Sequence, residues 1–166
     1  MGGGATGCYG VDVHGIQLMT RETNRWTTPD NKDGPAGAMK QLGVRYVAYF
    51  NRKDGRVGTL WTGRFRAKPI RDERYWLTCL RYIEQNPVRA KLVMRPEQYR
   101  WSSYGVHALG HTTEWLAGHP IIDALGENDA ERQAAYRAVC ATTVTTEEIV
   151  RQRFDELGSD RGQTPV

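Results

Sequence analysis

The chain has 166 residues, 39% of them hydrophobic, which is enough for one domain with a buried core. It contains no apolar run of about 18 residues, and its first residues lack the basic and apolar regions of a signal peptide. The sequence therefore predicts a cytoplasmic protein with no membrane partner. Three cysteines, Cys8, Cys79 and Cys140, have no CxxC spacing, which indicates reduced thiols and not a disulfide framework or a zinc site.

Positive charge is concentrated in the middle of the chain. The net charge is +4, but residues 40–104 hold 15 Lys and Arg against 5 Asp and Glu, whereas residues 105–166 have an acidic excess. Aromatic residues are interleaved with the basic ones: Trp61, Phe65, Tyr75, Trp76, Tyr99 and Trp101. This combination suits a phosphate backbone with bases that stack. It is equally typical of a solvated basic face above an aromatic core, so charge alone leaves both interpretations open.

The first third of the chain predicts a strand and a helix. Residues 1–9 are glycine-rich and indicate a disordered arm, whereas residues 10–19 alternate as a β-strand in which His14 is expected to pack and not to ligate. Residues 33–51 predict a helix with an apolar stripe, made of Met39, Leu42, Tyr46, Val47 and Phe50. Basic residues near its end meet either phosphate or solvent: Arg45, Arg52 and Lys53.

A basic segment follows this helix. Residues 59–61 and 64–67 are strand-like pieces between turn signals. Between them and around them lie the basic residues Lys53, Arg56, Arg64, Arg66, Lys68 and Arg71. Trp61 offers either a stacking surface for a base or an anchor in the core.

The sequence from 72 to 104 predicts the central helix of the molecule. Trp76, Cys79, Leu80 and Ile83 share one helical face, with Asp72 as the cap and Pro87 as the end. Tyr82 and Asn86 border this apolar face, with Tyr75 two turns before. Residues after Pro87 predict a turn and a short second helix, and then an irregular aromatic segment with a cap at Ser102 or Ser103. A serine hydrolase is disfavoured because the flanking glycines and a His/Asp partner are missing.

The last third predicts further helices. His107 and His111 share a face if residues 106–111 are helical, but they and His119 lack a supporting carboxylate or cysteine, which disfavours a metal site. Residues 127–139 predict a helix, and Thr145 opens another. Together the elements predict an α+β fold, with a small antiparallel sheet, flanking helices and a helical C-terminal tail.

Four sequence boxes occur in a fixed order: RYVAYFN at 45–51, GTLWTGRF at 58–65, RYIEQNPVRA at 81–90 and YRWSSY at 99–104. In these boxes the chain resembles the REP-associated tyrosine transposases, relatives of the single-tyrosine HUH transposases. The resemblance extends from residue 10 to about residue 155. It implies a disordered arm at 1–9, a DNA-binding domain at 10–104 with an incomplete HUH, ferredoxin-like core, and a helical extension at 105–166.

The resemblance also implies site residues. Tyr82 matches the tyrosine that attacks a phosphodiester, and Asn86 matches a third polar ligand of a catalytic divalent metal. The segment 53–71 matches the part that contacts a DNA hairpin. The residues implied in DNA binding are Arg45, Arg52, Lys53, Arg56, Trp61, Arg64, Arg66, Lys68, Arg71 and Arg89.

One departure from the family concerns the metal. An ungapped match places Glu22 and Asn24 where the family has a His-hydrophobic-His pair, and a register that uses His14 recovers only one of the two histidines. Glu22 and Asn24 would present oxygen to Mg²⁺ or Mn²⁺ from one face of a strand, or else they form a polar strand end with no ligand role. The family's preceding strand and helix also have no counterpart, so the chain is expected to be truncated at its N-terminus.

These patterns lead to three expectations for function. The first is a protein that binds hairpin or single-stranded DNA and cleaves it poorly, because losing metal ligands removes transition-state stabilisation. The second is an active metal-dependent tyrosine transposase. The third is a structural or partner-binding protein with no nucleic-acid role. The sequence leaves the oligomeric state open.

Overall fold

The computed structural model describes residues 10–19, 22–61, 63–70 and 73–142. In this part the fold is α+β, as the sequence predicts: two antiparallel strands and five α-helices. The strands are β1 (Val11–Leu18) and β2 (Thr23–Pro29). The helices are α1 (Gly34–Asp54), α2 (Glu73–Arg89), α3 (Tyr104–Leu109), α4 (Pro120–Asp123) and α5 (Asp129–Ala141), with a 3₁₀ turn at Pro96–Gln98. None of these helices combines the length and the apolar character that a bilayer crossing requires.

In the hairpin of β1 and β2, the edge of β1 that faces away from β2 is also hydrogen-bonded. Its register pairs Val11 with Pro29 and Leu18 with Thr23, and shifts between Val13 and Gly15. On the other side of β1, the Leu18 N–H donates to the Trp101 carbonyl at 2.8 Å, and the Ala117 N–H donates to the Val13 carbonyl at 2.8 Å. Loop backbone therefore satisfies an edge that would otherwise be open to pairing with another chain.

The core lies between the hairpin and the helices α2, α3 and α5. It is built from Trp26, Trp76, Cys79, Leu80, Ile83, Tyr104, Ala108, Tyr136 and Cys140. The four residues predicted for the apolar face of the central helix, from Trp76 to Ile83, are all among them. Cys79 and Cys140 are free thiols, as expected, whereas Cys8 lies outside the described residues. The core draws on residues from both sides of position 104.

Helix α1 confirms the helix predicted over residues 33–51, but its apolar stripe does not form a core. Its first residue, Gly34, is buried, and Arg25 Nη1 of β2 lies 2.7 Å from Met39 Sδ. Of the stripe residues, Tyr46 is 44% exposed and the others are half-buried, and none of them belongs to the core cluster. The helix therefore packs on the hairpin at its beginning, and its stripe is only partly covered.

Three sequence predictions of secondary structure are wrong. No strand forms at 59–61 or 64–67, where every described side chain except that of Leu60 is exposed and no neighbouring edge supplies backbone partners. His111 does not share a helical face with His107, because α3 ends at Leu109 and Gly110 takes a left-handed cap conformation. The short second helix predicted after Pro87 does not form, because residues 90–95 form turns and bends. The helix predicted over residues 127–139 is confirmed as α5, and Asn128 caps its start by accepting a hydrogen bond from the Glu131 N–H at 3.0 Å. The caps predicted at Asp72 and Thr145 lie outside the described residues.

The end of α2 also differs from the prediction. Pro87 does not end the helix: α2 continues to Arg89, and the side chain of Pro87 is fully buried inside it. Because proline has no N–H, the carbonyl four residues before it, that of Ile83, loses its helical donor. The amide of Gln17 in β1, itself completely buried, donates to that carbonyl instead. The helix continues past Pro87 because a strand supplies the missing hydrogen bond.

Candidate nucleic-acid interface

The tyrosine face of α2, which we define as Tyr75, Tyr82 and Arg89, carries the residue predicted as the nucleophile. These positions are seven residues apart, so they lie on one side of the helix with a rise of about 10 Å between neighbours. The Arg89 guanidinium lies over the Tyr82 ring, 4.4 Å from its centroid. Lys68 Nζ lies over the Tyr75 ring at 5.2 Å and is 3.3 Å from the Tyr75 hydroxyl. Each tyrosine of this face is thus accompanied by a cation.

Tyr82 is held between the core and the solvent. It is half-buried and packs against the core cluster, whereas Arg89 is exposed. The ring is therefore fixed on the helix while a positive group stands over it. A phosphate group that approached this face would meet a guanidinium, which binds phosphate through several N–H donors.

The hairpin of β1 and β2 reaches α2 next to Tyr82. Gln17 of β1, which pairs with Asn24 of β2, donates to the carbonyl of Ile83, the residue after Tyr82. Asn24 Nδ2 donates in turn to Gln17 Oε1 at 3.5 Å. The predicted residue Asn24 is therefore connected through one glutamine to the turn of α2 that holds the tyrosine.

The three predicted metal ligands lie at the start of the second strand and on the central helix. Glu22 is exposed just before β2, where its carbonyl accepts from the Met19 N–H at 2.8 Å, and Asn86 is half-buried on α2. No hydrogen bond joins the side chains of Glu22, Asn24 and Asn86 in the described residues, and no three His, Cys, Asp or Glu side chains there could hold a metal. The bond from Asn24 to Gln17 uses Nδ2 and not Oδ1, the oxygen that a Mg²⁺ or Mn²⁺ ion would bind.

The histidines serve the packing of the fold. His14 is buried within the irregularity of β1: its Nδ1–H donates to the Ala117 carbonyl at 3.2 Å, and Nε2 accepts from Thr28 Oγ1 at 2.9 Å. His119 stacks on Trp76 with a centroid distance of 4.3 Å. The His107 ring donates to the His14 carbonyl at 2.8 Å, and burial lowers the pKa of His107. Both ring nitrogens of His14 are used, which agrees with the prediction that it packs and does not ligate.

Most of the predicted DNA-binding residues lie on an exposed arm, which we define as residues 44–68. Trp61 is 40% exposed and its ring is 6.1 Å from that of Tyr46, while the Arg56 guanidinium lies 5.9 Å from the centroid of Phe50. The side chains of the remaining predicted residues on this arm are exposed: Arg45, Arg52, Lys53, Arg64, Arg66 and Lys68. Arg71 lies outside the described residues. The arm is a surface of aromatic rings and cations, and Lys68 connects it to Tyr75 on α2.

A buried carboxyl group on α2 was missed by sequence reasoning. Glu84 is 1% exposed, and its Oε1 accepts from Ser103 Oγ at 2.8 Å and from the Tyr136 hydroxyl at 3.2 Å. Burial raises the pKa of Glu84 to about 7, and the two hydroxyl donors keep it from rising further. The only signal in the sequence was a glutamate on the same helical face as Leu80. Glu84 joins α2 to the start of α3 and to α5.

The fold and this face define a class, an α+β protein with a cation-flanked tyrosine on its central helix. None of the protein-family models, curated proteins or solved structures compared with the chain matches it.

Proposed function

We propose that this protein binds DNA that contains a hairpin next to a single-stranded segment, and that it descends from enzymes of the REP-associated tyrosine transposase type. The observation that carries the proposal is the pairing of Tyr82 with the Arg89 guanidinium at 4.4 Å, at the point where the hairpin of β1 and β2 meets α2. A tyrosine held beside a phosphate-binding group suits a site where a DNA backbone passes.

The exposed arm supports the same proposal. Its cations would neutralise phosphates, and Trp61 would stack with an unpaired base or pack on the loop of a hairpin. Its Lys68 lies against Tyr75, so that a DNA strand bound along the arm would continue onto the tyrosine face. In the proposed complex the arm holds the DNA and the tyrosine face receives the backbone at the junction.

In this proposal, cleavage is impaired although the nucleophile remains. In the reaction that the family resemblance implies, the Tyr82 oxygen forms a bond to phosphorus, the bond from phosphorus to the 3′ oxygen breaks, and the phenolic proton ends on that oxygen. This chain supplies the hydroxyl and the Arg89 cation. The phenol hydroxyl is a weak nucleophile unless it is assisted, and Glu22 and Asn24 stand where the family has the two histidines that hold the assisting metal.

The first experiment compares binding of hairpin DNA with that of unstructured single-stranded DNA of equal length. We expect tighter binding of the hairpin, with an affinity that falls steeply as the salt concentration rises because phosphate contacts release counterions. EDTA should leave the affinity unchanged, since no metal takes part in binding. Equal affinity for both DNAs at every salt concentration would favour the structural or partner-binding protein instead.

The second experiment looks for a covalent adduct between protein and DNA in the presence of manganese. Wild-type protein is compared with Tyr82→Phe and with Tyr75→Phe, a control on the same face of α2. We expect at most a trace of adduct. An abundant adduct that is lost only in Tyr82→Phe would show an active transposase-like enzyme and overturn the claim of impaired cleavage, while leaving the binding proposal in place.

A further inference from the structure

A groove lies at the end of β1 and has no role in the proposal above. It is lined by Leu18, Met19, Tyr99 and Trp101 and has a volume of about 290 Å³. The groove is shallow and open to the solvent, so it offers one surface to a flat group and does not enclose a ligand. Three of the four lining side chains are apolar, and Tyr99 adds a second aromatic ring.

Two hydrogen bonds with the backbone of Leu18 hold the groove together. The Tyr99 hydroxyl donates to the Leu18 carbonyl at 2.6 Å, and the Leu18 N–H donates to the Trp101 carbonyl at 2.8 Å. Both aromatic residues are therefore attached to the same residue of β1. A groove that exists before its ligand arrives loses less conformational entropy when it binds.

Large apolar surfaces in this groove remain exposed, with a cation beside them. Trp101 is 53% exposed and Leu18 is 37% exposed. The Arg100 guanidinium stands over the Trp101 ring, 4.6 Å from its centroid. A flat apolar group that carries a negative charge would match both features, because the ring stacks on it and the guanidinium attracts the charge. A nucleotide has this combination, whereas a neutral apolar side chain of a partner protein would make no use of the cation.

The position of the groove relates it to the tyrosine face. Leu18 follows Gln17, and Gln17 contacts the carbonyl of Ile83 beside Tyr82. Consecutive Cα atoms are about 3.8 Å apart, so the groove begins one residue from the connection between the hairpin and α2. The groove and the contact between the hairpin and α2 are therefore formed by adjacent residues of β1.

We infer that this groove binds one unpaired base of the DNA, stacked on Trp101, from the single-stranded segment beside the hairpin. The inference rests on the proposed function and adds a subsite for the unpaired strand to it. Stacking on an aromatic side chain tolerates any base, so the subsite contributes affinity for single-stranded DNA without reading its sequence.

The test measures the dissociation constants of three DNAs by fluorescence anisotropy: a blunt hairpin, the same hairpin with a short single-stranded tail, and the tailed hairpin with abasic sites in the tail. Wild-type protein should bind the tailed hairpin about 5- to 140-fold more tightly than the abasic one. Trp101→Ala should lose this difference and bind the blunt hairpin as wild type does. Trp115→Ala is the matched control, since Trp115 is 52% exposed and lies outside the groove. It should keep the difference.

The outcomes distinguish failure of the base-binding groove from failure of the proposed function. If wild type binds the tailed and abasic hairpins equally, or if Trp101→Ala retains the difference, the groove does not bind a base, although hairpin binding still stands. If wild type binds none of the DNAs, the proposed function itself fails. The comparison of tailed and abasic DNA uses unmodified protein, so it remains decisive even if Trp101→Ala does not fold.

Discussion

Two regions of this molecule use polar and aromatic residues in opposite ways. In the packed body, which comprises the hairpin with α2, α3 and α5, each buried polar side chain completes a contact between elements: His14, Gln17, Glu84 and Ser103. In the exposed arm, tyrosines, a tryptophan and several cations remain in the solvent. The difference separates residues that the fold requires from residues that a ligand can use.

The tyrosines show this contrast at the scale of one residue type. Tyr136 of α5 is completely buried with its hydroxyl on Glu84, whereas Tyr49 of α1 is 60% exposed. Aromatic residues in both regions contributed to the same sequence pattern of interleaved rings and charges. Only the structure shows which of these aromatic residues are buried in the core.

The largest expected effect on stability is the loss caused by Tyr136→Ala, with Tyr49→Ala as the comparison. Tyr136→Ala should lower the free energy of unfolding by about 3–5 kcal/mol, because it leaves a large cavity in the core. Tyr49→Ala should change it by less than about 0.5 kcal/mol, as exposed substitutions do. Urea denaturation of both variants measures the two values. Similar losses would mean that Tyr49 is covered in solution, for example by a second copy of the chain, and would remove the distinction between body and arm.

The second prediction concerns pH and the packed body. Since the pKa of Glu84 is raised from 4.5 to about 7, the folded state holds a proton that the unfolded state releases between these pH values. The contribution of this group to stability is therefore fully present below about pH 4.5 and is lost as the pH rises to about 7. At about 1.4 kcal/mol per pH unit, the loss is on the order of 3 kcal/mol.

Glu84→Gln should remove this dependence, because glutamine is neutral and still accepts from Ser103 and Tyr136. The variant should match wild type in urea denaturation at pH 5 and exceed it at pH 8. Glu114→Gln, which changes an exposed carboxylate in the loop before α4, serves as the control and should retain the wild-type slope. Parallel pH profiles for wild type and Glu84→Gln would contradict the assignment of this proton to Glu84.

The third prediction tests the hydrogen bond between β1 and α2 inside the packed body. Gln17→Leu leaves the buried Ile83 carbonyl without a donor and should cost about 1–3 kcal/mol. Pro87→Ala restores a backbone N–H to that carbonyl, so the same glutamine replacement should cost less in a Pro87→Ala background. A double-mutant cycle by urea denaturation measures the coupling. A coupling energy near zero would show that the glutamine and the proline act independently.

The smallest effects on the fold, and the clearest effects on DNA, are expected in the exposed arm. Trp61→Ala and Arg64→Ala should each weaken hairpin binding by about 1–3 kcal/mol while leaving the unfolding midpoint unchanged. Arg132→Ala is a control outside the arm, where the arginine pairs with Asp129 on α5. Hairpin selectivity that survives in both arm variants would show that the arm does not hold the DNA.

The sequence predicted the elements of the packed body better than the hydrogen bonds between them. Period-3.6 spacing from Trp76 to Ile83 was sufficient to find α2 and its core face, because that helix buries one stripe. The same criterion found the stripe of α1, but it did not show that this stripe stays outside the core cluster. The reason is that periodicity reports which residues share a face and does not report what the face packs against.

The continuation of α2 through Pro87 could not be predicted from local rules. Proline normally disfavours the helix interior, and the compensation comes from Gln17, which lies 66 residues before Ile83 in the sequence. Glu84 was missed for the same reason, since its partners Ser103 and Tyr136 lie on other elements. For the candidate site, spacing placed Tyr82 and Arg89 on one helix, but the approach of the guanidinium to the ring required coordinates.

The carboxyl group of Glu84 also constrains how the protein is made. Its partner Tyr136 is 52 residues further along the chain, and His14 contacts the carbonyl of Ala117 across 103 residues. Contacts between residues so far apart in the sequence form slowly, and the ribosome synthesises α5 after α2. Until α5 emerges, the nascent chain exposes the apolar face of α2 with a carboxyl group at its centre. An ionised Glu84 carboxylate is costly to bury in the folded core. On the unfinished helix it should hold water and delay association of the helix with other apolar surfaces during synthesis.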